Sequence, residues 1–103
     1  TQILHSKGEN IILYPVREAS DTVSYGEGVD IEAIVSPARV EEIIPEAGYI
    51  ITDYIVIHIF APIRHRDKIR RKGVDYEVTE LQEFDFQGDT VYRQAVCRRL
   101  LGA

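Results

Sequence analysis

The chain has one cysteine, no methionine, no tryptophan and no long apolar run. A lone cysteine, Cys97, permits neither an internal disulfide nor a zinc site built from cysteines, which is typical of proteins in a reducing compartment. The longest apolar stretch, Tyr54 to Pro62, is interrupted by His58 and is far shorter than the ~20 residues that span a bilayer. At 103 residues, the chain is expected to form a single domain, residues 1–103.

Positive charge is also scarce. Twelve lysines and arginines against 17 carboxylates give a net charge of −5. Binding to nucleic acid or to an anionic membrane depends on a concentrated positive field, so the composition argues against a general affinity for either.

No motif indicates catalysis. The sequence has no glycine-rich phosphate loop, no dinucleotide fingerprint and no serine nucleophile motif. His58 and His65, near Asp53 and Asp67, fit no recognised spacing of metal ligands. We therefore predict no enzyme activity, no metal and no cofactor.

The stretch from Asp67 to Val78 predicts a β-hairpin. Lys72 and Gly73 supply a turn in which the glycine tolerates a positive φ, and the residues after it alternate apolar with polar. A strand with one apolar face is half-buried, so the remaining chain is expected to provide further strands for it to pack on.

Four other segments have the composition of strands. Asn10 to Val16 is apolar but contains Pro15, which cannot donate to a ladder. Val29 to Ser36 alternates, and Tyr49 to Phe60 is rich in β-branched and aromatic residues on both faces. Thr90 to Leu101 fits a closing strand, although its periodicity also allows a helix.

These segments add up to a mainly β fold. For Pro37 to Gly48 we expect a short helical turn or an irregular strand, since Pro45 limits any helix. The predicted fold is a small antiparallel β-barrel or sandwich of about five to seven strands with at most one short helix. The polar segment Arg17 to Gly28 is predicted to be a long loop that displays Tyr25.

A basic residue occupies every second position from 64 to 72, so an extended backbone would direct all five to one side. The five are Arg64, Arg66, Lys68, Arg70 and Lys72. They could contact phosphates or an acidic partner, or they could form a solvated face that keeps an edge strand from pairing with other chains.

The C-terminal part resembles a known family. The pattern D-x-I-x-x-x-G-x-x-Y-x-V, which begins at Asp67, is followed by a glycine turn and the strand YRQAVCRRL. This layout is similar to that of the small head–tail joining proteins of long-tailed bacteriophages and prophages, which are head-closure, stopper or connector components. The resemblance implies a compact β-barrel or sandwich with a long loop, whose copies form a ring between the portal and the tail.

The resemblance also implies partners and interface residues. The partners would be other copies of the chain and neighbouring connector and tail proteins, with DNA passing through and no membrane contact. The chain would be in the virion, and in the host cytoplasm during assembly. The loop residues Ser20, Asp21 and Tyr25 would serve docking or gating, and Arg64, Arg66, Lys68 and Arg70 would make subunit contacts. The alternative is an SH3-like or OB-like barrel that binds nucleic acid or peptide.

Overall fold

The computed structural model describes residues 8–19, 22–41 and 43–100, and its centre is a closed antiparallel β-barrel. Six strands close it in the order β1-β4-β5-β8-β7-β6, with β1 paired to β6, while β2 and β3 form a separate two-stranded sheet. This confirms the predicted fold class. The strands are β1 Glu9–Tyr14, β2 Val16–Ala19, β3 Thr22–Tyr25, β4 Val29–Pro37, β5 Tyr54–Ile59, β6 Lys68–Arg71, β7 Val74–Phe86 and β8 Asp89–Arg99.

The barrel interior is filled by alternate residues of each strand. β5 contributes Ile55, Ile57 and Ile59 to it. Its opposite face carries Tyr54 and Val56, which belong to a second cluster outside the barrel. The prediction that this strand is apolar on both faces is confirmed. The other buried members of the interior are Ile11, Leu13, Ala33, Ile63, Ile69, Val78, Ala95 and Cys97.

The predicted hairpin is formed by β6 and β7. Lys72 and Gly73 have φ of 52° and 79°, the left-handed region that a tight two-residue hairpin turn requires. The register pairs Arg71 with Val74 across this turn. A glycine is needed at position 73 because a side chain there would be strained at that φ.

The β7–β8 hairpin extends beyond the barrel. The last pair between β5 and β8 joins Ile59 to Arg93, whereas β7 and β8 continue to pair up to Phe86 and Asp89. We call residues 84–92 the arm. The prediction that the closing segment is a strand rather than a helix is confirmed.

The prediction of a long loop from Arg17 to Gly28 is wrong. β2 and β3 pair as a hairpin, with Val16 opposite Tyr25. Val23 and Tyr25 have high strand propensity and alternate with polar residues, a pattern that the surrounding Ser, Asp and Gly obscured. Ser20 and Asp21 lie outside the described residues.

The longest irregular stretch in the described ranges instead joins β4 to β5. It contains one helical turn, in which the Ile43 amide donates to the Arg39 carbonyl (3.1 Å), and a 3₁₀ turn at Ile51–Asp53. The turn at Ile43 agrees with the expectation for Pro37 to Gly48. Within the described ranges, no helix has the length and apolar character to cross a membrane.

Cys97 is expected to be unreactive in the folded protein. Its side chain is 0% exposed, and burial raises the pKa of its thiol, which disfavours the nucleophilic thiolate. A thiol reagent such as DTNB should therefore label the chain in urea but not in native buffer. Rapid stoichiometric labelling of native protein would contradict the position of this strand in the barrel.

Candidate protein interaction surface

The basic run does not form one continuous stripe. β6 comprises only Lys68–Arg71, because Arg66 adopts a φ of 78° and the chain turns before the strand begins. The prediction that all five basic side chains lie along one extended strand is therefore wrong. Lys68 and Arg70 do face carboxylates of β7, since residues 68–71 pair with 74–77, and Arg66 forms an ion pair with Glu77 of the same strand.

Ion pairs take up much of this positive charge. Arg70 Nε donates to Asp75 Oδ1 at 2.7 Å, and Lys68 Nζ lies 3.9 Å from the same carboxylate. Arg66 pairs with Glu77 at 3.6 Å. A phosphate would have to compete with these carboxylates, so the run is a weaker anion site than its sequence suggests.

Tyr25 is half-buried against the barrel rather than displayed on a loop. Lys68 Nζ lies between the rings of Tyr14 and Tyr25, 4.7 and 4.8 Å from their centroids. Burial, together with the nearby charge of Glu77, raises the pKa of Tyr25. The contacts of the Lys68 ammonium group with these two rings fix the β2–β3 hairpin on β6. Tyr25 therefore has a structural role that its sequence context did not indicate.

Asp67 joins the same hairpin to the turn before β6. Its carboxylate is 2% exposed and accepts the amide hydrogens of Val16 and Arg64, both at 2.9 Å. Arg64 Nη2 also approaches the Val16 carbonyl at 3.5 Å. Asp67, the first residue of the D-x-I pattern, is therefore an anchor: it holds the β2–β3 hairpin to the turn before β6 by accepting two backbone hydrogen bonds.

Two half-buried carboxylates, Asp75 and Glu9, should make the stability of the fold depend on pH in the acid range. The hydrogen bond from Arg70 holds the pKa of Asp75 below its usual 3.8, and the hydrogen bond from Arg71 lowers that of Glu9 below 4.5. A pKa depressed by folding adds stability above the unfolded value and loses it as the pH falls toward the folded value. We expect the difference in urea midpoint between wild type and Asp75→Asn to shrink as the pH is lowered below about 4. A constant difference from neutral pH to this range would contradict the pairing.

The segment between β4 and β5 covers part of the outer sheet face. Arg98 of β8 holds this segment by pairing with Glu46 and by lying 4.5 Å from the centre of the Tyr49 ring. Arg98 also pairs with Glu77 of β7 at 3.1 Å. Ile43 of this segment packs with Tyr54, Val56 and Val96. The same segment leaves Val40, Ile44 and Ile50 exposed, at 67%, 91% and 64%.

Beyond this covered part, the outer face carries an aromatic surface. Phe84 and Tyr92 stack on the arm, with centroids 4.6 Å apart and planes 11° from parallel. His58 and Phe60 lie 6.1 and 6.4 Å from Tyr92, and Ile34 pairs with His58 in the register. We call Ile34, His58, Phe60, Phe84 and Tyr92 the aromatic face.

Two members of the aromatic face are exposed to solvent, and His58, Phe84 and Tyr92 are half-buried. Phe60 is 75% exposed and Ile34 is 41% exposed. Arg93 holds the backbone at this point, since its Nη1 donates to the Phe60 carbonyl at 3.4 Å while its Nε pairs with Glu83 at 2.8 Å. A large aromatic side chain on a fixed backbone, with most of its surface in water, is typical of a contact site.

The sequence alone did not indicate this face as a candidate site. Two shallow grooves of about 270 and 280 Å³ lie next to it and share Val56 and Gln94. Both are at the small end for a site that encloses a ligand. The outer face is therefore better suited to a broad contact than to a small molecule.

The described residues hold no cluster that identifies a reaction. No three His, Cys, Asp or Glu side chains in these ranges are grouped where they could hold a metal ion. The features of the surface that stand out are its paired charges and its aromatic face.

No protein-family model matches the chain, and no curated protein matches it significantly.

Proposed function

We propose that the chain is a structural subunit of the head–tail connector of a tailed bacteriophage or prophage. Copies of it form part of a ring around the DNA channel and contact neighbouring connector and tail proteins, first in the host cytoplasm and then in the virion. The aromatic face is the observation that carries the proposal, because an exposed aromatic side chain next to half-buried aromatic rings favours a protein partner. Its most exposed member, Phe60, is 75% accessible to solvent.

The resemblance of the segment from Asp67 to Val78 to head–tail joining proteins supports the same function. That pattern folds as the β6–β7 hairpin, with Ile69 and Val78 fully buried and Asp67 anchoring the turn before it. In such a protein this hairpin would build the barrel, while contacts with other proteins would use the outer surface and the arm.

The charges suit a protein that DNA passes without adhering. The net charge is −5, and Arg66, Lys68 and Arg70 face carboxylates of β7. In the connector, these cations and Arg64 would lie at subunit contacts, where they could exchange an internal carboxylate for one on a neighbour. The alternative function, a barrel that binds nucleic acid, requires enough free positive charge to give a steep salt dependence.

Disruption of the gene tests the proposal. Cells that produce the phage without this chain should accumulate DNA-filled heads and separate tails, and addition of purified chain to that lysate should restore joined particles. Normal yields of tailed particles without the chain would overturn the proposal. Salt-dependent micromolar binding of the isolated chain to DNA, together with normal particles, would favour the nucleic-acid-binding alternative.

A further inference from the structure

We propose that the two grooves on the outer face form one site for an extended peptide segment of a partner protein. The segment presents an acidic side chain at one end of the site and a basic side chain at the other. This inference rests on the proposed function, because it identifies the kind of segment with which a neighbouring connector or tail protein would engage this chain.

The strand register shows that the site crosses four strands. One row of outward-facing residues joins β4, β5, β8 and β7, and its members are Ser36, Val56, Val96 and Glu80. The next row consists of Ile34, His58, Gln94 and Gln82. Both grooves draw on these two rows and share Val56 and Gln94, so they are halves of one depression. We call this depression the cross-strand groove.

The cross-strand groove has the length of a short extended peptide. Four strands with neighbours ~4.8 Å apart span about 14 Å from β4 to β7. A peptide in the β conformation advances ~3.3 Å per residue, so residues i and i+4 lie about 13 Å apart and point to the same face. The side chain of residue i+2 would then lie over Val56, in the middle of the groove.

Opposite charges stand at the two ends of the groove. Arg39 lines the end next to Ser36, and Glu80 lines the end on β7. Both charged side chains are exposed, and neither forms an ion pair with a residue that the structure describes. A carboxylate over Arg39 and a cation over Glu80 would each complete a pair.

These charges favour a peptide over the other polymers that bind to sheet surfaces. A nucleic acid would place phosphates beside Glu80, and the single cation Arg39 offers little compensation. A neutral oligosaccharide would leave both charges without a partner. A polypeptide is the one of the three that carries both signs of charge on a single short segment.

Polar side chains between the two ends can bind a peptide backbone. Within the described ranges, the amides of Gln82 and Gln94 and the hydroxyl of Ser36 form no hydrogen bond. A side-chain amide both donates and accepts, so these groups could pair with the N–H and C=O groups of the segment. Ile43 and Val96 supply an apolar wall for its central side chain.

A titration followed by NMR tests the site. The probe is the capped peptide acetyl-SETVTKS-amide, in which glutamate, valine and lysine occupy alternate positions. At low ionic strength it should bind with a Kd of about 1 mM or lower. The backbone amide signals of Val56, Gln82 and Gln94 should shift, whereas that of Lys72 in the β6–β7 turn should not. The uncharged peptide acetyl-SQTVTQS-amide should bind about fivefold more weakly or worse.

Charge reversal tests the specificity. Arg39→Glu should weaken binding of the probe about fivefold or more and should instead prefer acetyl-SKTVTKS-amide, because both ends of its groove are then acidic. Glu80→Lys should likewise prefer acetyl-SETVTES-amide. The matched control is Glu41→Lys, at an exposed position that does not line the groove, and it should bind the probe as the wild type does. Unchanged thermal midpoints would show that the variants are folded.

No binding at probe concentrations of about 5 mM would overturn the inference, and so would shifts outside the groove or the same peptide preference in all variants. Shifts at the groove amides caused by cellotetraose, with none caused by the peptide, would identify a sugar site instead. These results are independent of the proposed function. If the chain joins heads to tails but the probe does not bind, only the peptide site is wrong. If the probe binds while the lysate needs no added chain, the peptide site stands and the phage function fails.

Discussion

Replacing Asp67 with alanine is expected to lower the free energy of unfolding by about 3 kcal/mol or more. The change would leave the Val16 and Arg64 amides without their acceptor at a position that is 2% exposed. Each unsatisfied buried donor costs roughly 1–3 kcal/mol. Urea unfolding followed by circular dichroism measures the loss, and hydrogen exchange should show that the amides of β2 and β3 lose protection first.

Two further variants calibrate this result. Asp67→Asn keeps one acceptor, so it should retain part of the stability that alanine loses. Asp75→Ala removes a more exposed carboxylate that pairs with Arg70, and surface pairs of this kind contribute at most about 1 kcal/mol. If Asp67→Ala costs no more than Asp75→Ala, the carboxylate of Asp67 is not the anchor of the hairpin.

Phe60→Asp should strongly reduce assembly while leaving the fold intact. Phe60 is 75% exposed, so the substitution should change the free energy of unfolding by less than about 0.5 kcal/mol. A carboxylate in the centre of an aromatic contact should reduce the yield of joined particles at least tenfold, because burying a charge without a partner is unfavourable. The complementation of a lysate that lacks the chain provides the measurement.

Ile44→Asp is the matched control for this prediction. Ile44 is 91% exposed and also apolar, but it lies on the segment between β4 and β5 rather than on the aromatic face. The variant should complement as well as the wild type. Equal losses for the two variants would mean that any added surface charge disturbs assembly, and the assignment of the aromatic face would then be wrong.

Local patterns in the sequence were sufficient to predict most of the strands, although not whether they close into a barrel or form a sandwich. The alternation in Val29 to Ser36 and the turn at Lys72 and Gly73 both predict strands that the structure contains. The hairpin of β2 and β3 was missed because its strands have only four residues each and polar neighbours. Its position depends on contacts with distant residues, such as Asp67 with Val16, and no local pattern reveals such contacts.

The candidate surface was harder to predict than the fold. The aromatic face draws on β4, β7, β8 and the end of β5, and its members meet only through the register of those strands. One sequence does not define that register. Similarly, the basic run looked free because Asp75 and Glu77 follow it in sequence, whereas pairing across the hairpin places them beside Lys68 and Arg70.

The number of copies per particle tests the central claim most directly. DNA-filled particles can be purified by density, and quantitative mass spectrometry can compare this chain with the major capsid protein. A connector ring predicts a small fixed number of copies, greater than one, in every preparation. Absence of the chain from the particles, or an amount that varies with washing, would contradict the assignment.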